Sequence, residues 1–113
     1  MALEVGGKTL ETTATGYLVN QDEWTEELAH VVAAEEGIEL TDRHWDVINY
    51  LRDQFFNHSE TQPNTRTMVK DMQEIWEGER VDAKTLYSLF PKDPSKQGGR
   101  IAGLPESRRK GGY

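Results

Sequence analysis

From Trp24 to Phe90 the apolar residues return at steps of three and four, a rhythm that gathers them on one face of a helix and scatters them over both faces of a strand. Trp24, Leu28, Val31 and Val32 make the first stripe; Asn20 or Asp22 can cap it and Gly37 can end it, which predicts a helix over 22–36. Trp45, Ile48, Leu51 and Phe55 make the second, behind Thr41 as N-cap, and predict a helix over 42–57. Met68, Val69, Met72, Ile75 and Trp76 make the third, over 64–77, which stops near Gly78. Asp82 can cap a short fourth helix that carries Leu86, Leu89 and Phe90 and is closed by Pro91.

Ahead of the helices, Leu3-Glu4-Val5, Gly6-Gly7 and Lys8-Thr9-Leu10 read as a β-hairpin, because a Gly-Gly loop supplies the positive φ of a tight turn. That register sets Leu3 opposite Leu10 and Val5 opposite Lys8, with Glu4 and Thr9 toward solvent. Two strands alone are marginal, so the hairpin must lean on the helices. From Pro91 onward lie three of the four prolines and five of the ten glycines, and no regular element is expected there. The expected fold is mainly α with a small N-terminal β-hairpin: a compact helical body over 1–91 and a flexible C-terminal arm over 92–113.

Charge divides at the same place. Residues 1–91 hold 7 basic and 18 acidic side chains, a balance of −11, whereas residues 92–113 hold 6 and 2, a balance of +4. The overall −7 disfavours non-specific binding to nucleic acid. The N-terminal residues have neither a basic region nor an apolar core of a leader, and no run approaches the roughly 20 apolar residues of a membrane span. A cytoplasmic monomer without membrane association is the expectation. The chain has no cysteine, which removes disulfides, thiolate nucleophiles, persulfide carriage and thiolate metal sites together.

The remaining polar residues suggest no chemistry. His44 and His58 bracket the second predicted helix, about 21 Å apart at about 1.5 Å per residue, too far to share a metal; with His30 they read as surface or capping histidines. Glu26-Glu27 and Glu35-Glu36 read as a solvated face rather than a catalytic dyad. Gly98-Gly99-Arg100-Ile101-Ala102-Gly103 runs into Leu104-Pro105 where a phosphate loop needs Lys and Ser or Thr, and the serines lack a nucleophile-elbow context. No enzyme activity and no cofactor are therefore expected. The second and third helices can also be read as a helix-turn-helix of a DNA-binding transcriptional regulator, but Arg66 and Lys70 of the third share it with Asp71, Glu74 and Glu77, a poor surface for phosphate.

Gly16-Tyr17-Leu18, Trp24, Leu40-Thr41, His44-Trp45-Asp46-Val47-Ile48, Leu51-Arg52, Arg66, Val69-Lys70, Leu86-Tyr87-Ser88-Leu89-Phe90-Pro91 and, above all, Lys96-Gln97 followed by Arg100-Ile101-Ala102-Gly103-Leu104-Pro105 resemble, in order and spacing, the DsrC/TusE family. These are the dissimilatory sulfite reductase gamma-subunit-like proteins and the TusE sulfur-relay proteins. The resemblance implies a helical domain with an N-terminal hairpin and a mobile arm whose penultimate cysteine carries sulfur as a persulfide; DsrC proper has a second cysteine in the arm. Here that second position matches Gly99, and the terminal one falls on Lys110 or Gly112, so this is a cysteine-less member by sequence. With the arm motif retained and the cysteines missing, the expected function is that of a regulatory or accessory binding protein for sulfite reductase or sulfurtransferase-like partners, with Lys96, Arg100, Ile101, Gly103, Leu104, Pro105, Arg108 and Arg109 as the partner-binding arm. The same motif admits a plainer reading, in which Gly103 and Pro105 shape a loop and Ile101 and Leu104 pack on the body.

Overall fold

The computed structural model describes residues 2–106, which form one antiparallel strand pair and five helices. β1 (Ala2–Val5) and β2 (Lys8–Glu11) pair in the expected register, Leu3 with Leu10 and Val5 with Lys8. Gly6 and Gly7, at φ 56° and 82°, supply the two left-handed residues of the turn. Val5 and Leu10 are buried and β1 rests on the first α-helix, so the hairpin leans on the helices as two strands alone must.

The first predicted helix is broken. Gln21–Glu23 is a single 3-10 turn capped by the Asn20 side chain, Trp24 is extended, and Thr25 Oγ1 accepts from the Leu28 N–H at 3.1 Å to start α1 (Glu26–Glu35). Thr25, rather than Asn20 or Asp22, is therefore its N-cap. The break lets Trp24 leave the stripe of Leu28, Ala29, Val32 and Ala33 and turn toward the C-terminal part of the chain.

α2 (Asp42–Asn57) keeps its predicted bounds and buries Val47, Ile48, Tyr50, Leu51 and Phe55. His44 does cap: its Nδ1 accepts from the Thr41 N–H at 3.0 Å, so Nε2 carries the proton and donates to the Leu89 carbonyl at 2.9 Å, joining the start of α2 to a residue 45 positions on. α3 (Thr65–Ile75) begins behind Asn64 and buries Met68 and Met72; Trp76 is buried just past its end, whereas Ile75 is 51% exposed and does not belong to the stripe. α4 (Ala83–Leu89) is capped by Asp82 and buries Leu86, with Phe90 following it into the core.

The expectation of no regular structure beyond Pro91 is overturned. α5 (Pro94–Ile101) packs against α1, α2, α3 and α4, and Ile101, Ala102 and Leu104 are each at most 1% exposed. Asp93 accepts from the N–H groups of Ser95 and Lys96, and Pro94 stands at the first helical position, where its missing N–H costs nothing. The two central glycines weaken the helix intrinsically, but Gly98 lets its backbone sit close to α2: a Cβ there would lie 3.0 Å from Leu51 Cδ1. A boundary between 91 and 92 thus cuts through the core.

Candidate functional site

α5 ends in a closed hydrogen-bonded cap. Gly103 N–H donates to Arg100 O at 3.2 Å and Leu104 N–H to Gly99 O at 3.0 Å, the crossed pair that seals a helix when the residue after the cap is left-handed. Gly103 is that residue, at φ 75°, and Leu104 drops into the core beside it. The motif Arg100-Ile101-Ala102-Gly103-Leu104-Pro105 is thus a helix stop written in sequence: last turn, glycine, apolar plug, proline.

Two side chains hold this cap from outside. Trp24 Nε1 donates to Ile101 O at 2.9 Å and its ring covers Gly103, where a Cβ would come within 2.3 Å of Trp24 Cδ1. Arg52 Nη1 donates to Ala102 O at 2.7 Å, and its guanidinium lies 3.9 Å from the centroid of the Trp24 ring. Both satisfy carbonyls that a helix end leaves without an internal partner, and a cation there also suits the helix dipole. Burial lowers the Arg52 pKa from its ordinary value.

The flank facing α1 is ionic. Arg100 Nε donates to Gly16 O at 3.0 Å, and its two terminal nitrogens reach Glu35 at 2.8 Å and Glu36 at 3.2 Å. Gln97 Nε2 adds a bond to Glu36 at 3.0 Å. Of the two adjacent carboxylate pairs on α1, the one at 35–36 is therefore a docking point for α5 and not only a solvated face.

A narrow, partly open cleft is lined by Tyr17, Leu51, Pro63, Lys96, Gly99 and Leu104, among others. Gln62 Nε2 bridges it to Pro105 O at 2.8 Å, and Ser95 Oγ donates to Pro63 O at 2.7 Å. Burial, with the Glu106 carboxylate second, raises the Tyr17 pKa. Gly99 lines this cleft, and a Cβ built there meets nothing within 4 Å.

The structure separates the residues that sequence grouped as an arm. Lys96, Gly99 and Pro105 line the cleft, Arg100 is bound to α1, and Gly103 lies under Trp24. Ile101 and Leu104 are core residues at 0% and 1% exposure, so the expectation that they face a partner is corrected in favour of the plainer reading. Arg108, Arg109, Lys110 and Gly112 lie outside the described residues. Sequence reasoning missed the roles of Trp24 and Arg52; the available signal was a tryptophan ahead of a good N-cap, Thr25, which argues that it stands outside the helix. Among the described residues no three His, Asp or Glu side chains are grouped to hold a metal ion, and no helix is long and apolar enough to cross a membrane.

A family model described as "DsrC like protein" matches residues 4–109. The sulfurtransferase TusE of Pectobacterium atrosepticum is 44% identical over 104 residues, 92% of this chain and 94% of the relative. TusE of Escherichia coli K12 is 44% identical over 100 residues, 88% and 91% of the two chains. Among solved structures, DsrC of Allochromatium vinosum superimposes with a TM-score of 0.87 at 38% identity, covering 97% of this chain and 99% of that one. The oxidized gamma-subunit of the dissimilatory sulfite reductase (DsrC) from Archaeoglobus fulgidus gives 0.86 at 36% identity with the same coverage.

Proposed function

The chain belongs to the DsrC-like family, and from that premise we propose that it binds the protein partners of sulfur-relay or sulfite-reductase relatives without carrying sulfur itself, as a regulatory or accessory protein. The observation that carries this reading is the combination of an intact scaffold with an absent thiol. The cap of α5 and its clamps are complete and no cysteine exists anywhere in the chain; in this reading Gly99 stands where the sequence resemblance sets the family's inner carrier cysteine. A glycine or an ammonium side chain offers no polarizable nucleophile for a sulfane sulfur, so fold and chemistry separate here.

In this reading Lys96 and Pro105 at the cleft rim, with Arg108 and Arg109 beyond the described residues, meet the partner; Arg100 and Gly103 position the segment, and Ile101 and Leu104 anchor it. The basic residues speed encounter with an acidic site more than they set final affinity. The test is competition with a cysteine-bearing TusE for its sulfur-donating partner, using the full chain and a truncation after Glu106. Competition by the full chain and a clear loss on truncation is expected. Equal competition by both moves recognition to the body, and competition by neither removes the proposal. In parallel, incubation with a persulfide donor is expected to leave the intact mass unchanged.

A further inference from the structure

Arg52 is only partly exposed, yet its guanidinium is held in place by rings and a carbonyl and not by an ion pair. The chain has 20 acidic against 13 basic residues, and Arg43 and Arg100 each pair with glutamate, yet no carboxylate among the described residues pairs with Arg52. Asp53, its neighbour in sequence, is engaged with Asn57 and His58 instead. The guanidinium uses one of its five N–H donors on Ala102 O and lies between two rings, 3.9 Å from the Trp24 centroid and 4.8 Å from that of Phe56. Trp24 is itself fixed by its bond to Ile101 O, so the fork is held before any ligand arrives. Phe56, one turn along α2, is 46% exposed. A rigid guanidinium with free donors beside an exposed aromatic ring is the arrangement that anchors protein interfaces, and the planar fork matches a carboxylate.

We propose that the Arg52–Phe56 face of α2 is a docking surface for an acidic segment of a partner protein, with a carboxylate forked onto Arg52 and an adjacent apolar side chain laid over Phe56. Charge complementarity chooses this occupant: the chain's own Arg108-Arg109-Lys110 segment has the wrong sign. The inference rests on the binding role proposed above and supplies the chemistry of the partner.

The probe is a short fluorescein-labelled peptide alternating Glu and Leu, with a Gln-Leu peptide as its uncharged counterpart, followed by anisotropy against the full chain. Saturable binding of the acidic peptide alone is expected, weakened at least about tenfold in Arg52→Gln and in Phe56→Ser and unchanged in Arg43→Gln. Phe56→Ser removes a half-exposed ring, so it decides the matter if Arg52→Gln melts at a lower temperature. No saturable binding, undiminished binding by Phe56→Ser, or equal binding of a single-stranded oligonucleotide of matched charge overturns the proposal. Concentration-dependent self-association that Arg52→Gln abolishes overturns it too, since the occupant is then a second copy. No sulfur-relay protein enters this assay, so its failure and that of the competition assay are separable.

Discussion

Gly98 and Gly99 are neighbours in α5 with different reasons to lack a side chain. At Gly98 a methyl group would press on Leu51 Cδ1 at 3.0 Å, whereas at Gly99 it would meet nothing. Alanine removes about 1 kcal/mol of glycine's helix penalty at either site. Gly99→Ala is therefore expected to raise stability by about 0.5–1 kcal/mol in chemical denaturation, and Gly98→Ala to fall short of it because Leu51 must shift. Gly103→Ala is a third case: it combines a left-handed φ of 75° with a collision against Trp24, and a loss of more than about 2 kcal/mol is expected. A Gly103→Ala chain that melts like the parent would rule out a left-handed residue packed under Trp24 at this cap.

Among the elements, α2 and α5 mark the two ends of legibility. In α2 the stripe, the Thr41 cap and the helix all agree, so its bounds could be read directly. α5 contains a proline and two adjacent glycines and is followed by a third glycine, all of which read locally as breakers, and it is held by contacts as far as 50 to 84 residues away in sequence, such as Arg52 with Ala102 and Arg100 with Gly16. Local pattern cannot carry that information. The candidate site was legible as a motif but not as a geometry: the string from Arg100 to Pro105 stood out, while nothing local tied it to its clamps, Trp24, which reads as part of the first stripe, and Arg52, which reads only as a match beside Leu51. Removal of residues 92–113 is consequently expected to abolish cooperative melting, because Ile101 and Leu104 alone contribute about 1.5–3 kcal/mol each. Truncation after Glu106 is expected to keep the parental melting temperature, as followed by circular dichroism.

Over the whole molecule, two tyrosines tie stability to alkaline pH. Burial raises the pKa of Tyr17, and burial with a hydrogen bond to Asp71 raises that of Tyr50, both above the ordinary value of 10.0. A proton held more tightly in the folded state stabilises below pH 10.0, and that contribution drains away as pH climbs toward the folded-state values. Melting temperature is expected to fall steeply above pH 10.0, and less steeply in Tyr50→Phe, which has no phenol to ionise.

The central position of α5 also sets a timetable. Translation delivers the hairpin and α1 to α4 first, yet the helix against which all four pack is encoded in residues 94–101, followed by its plug at Leu104. Until those residues emerge from the ribosome, the core that holds Leu28, Leu51, Met68 and Leu86 lacks its central helix, and the nascent chain must wait as partly packed helices open to chaperones and proteases.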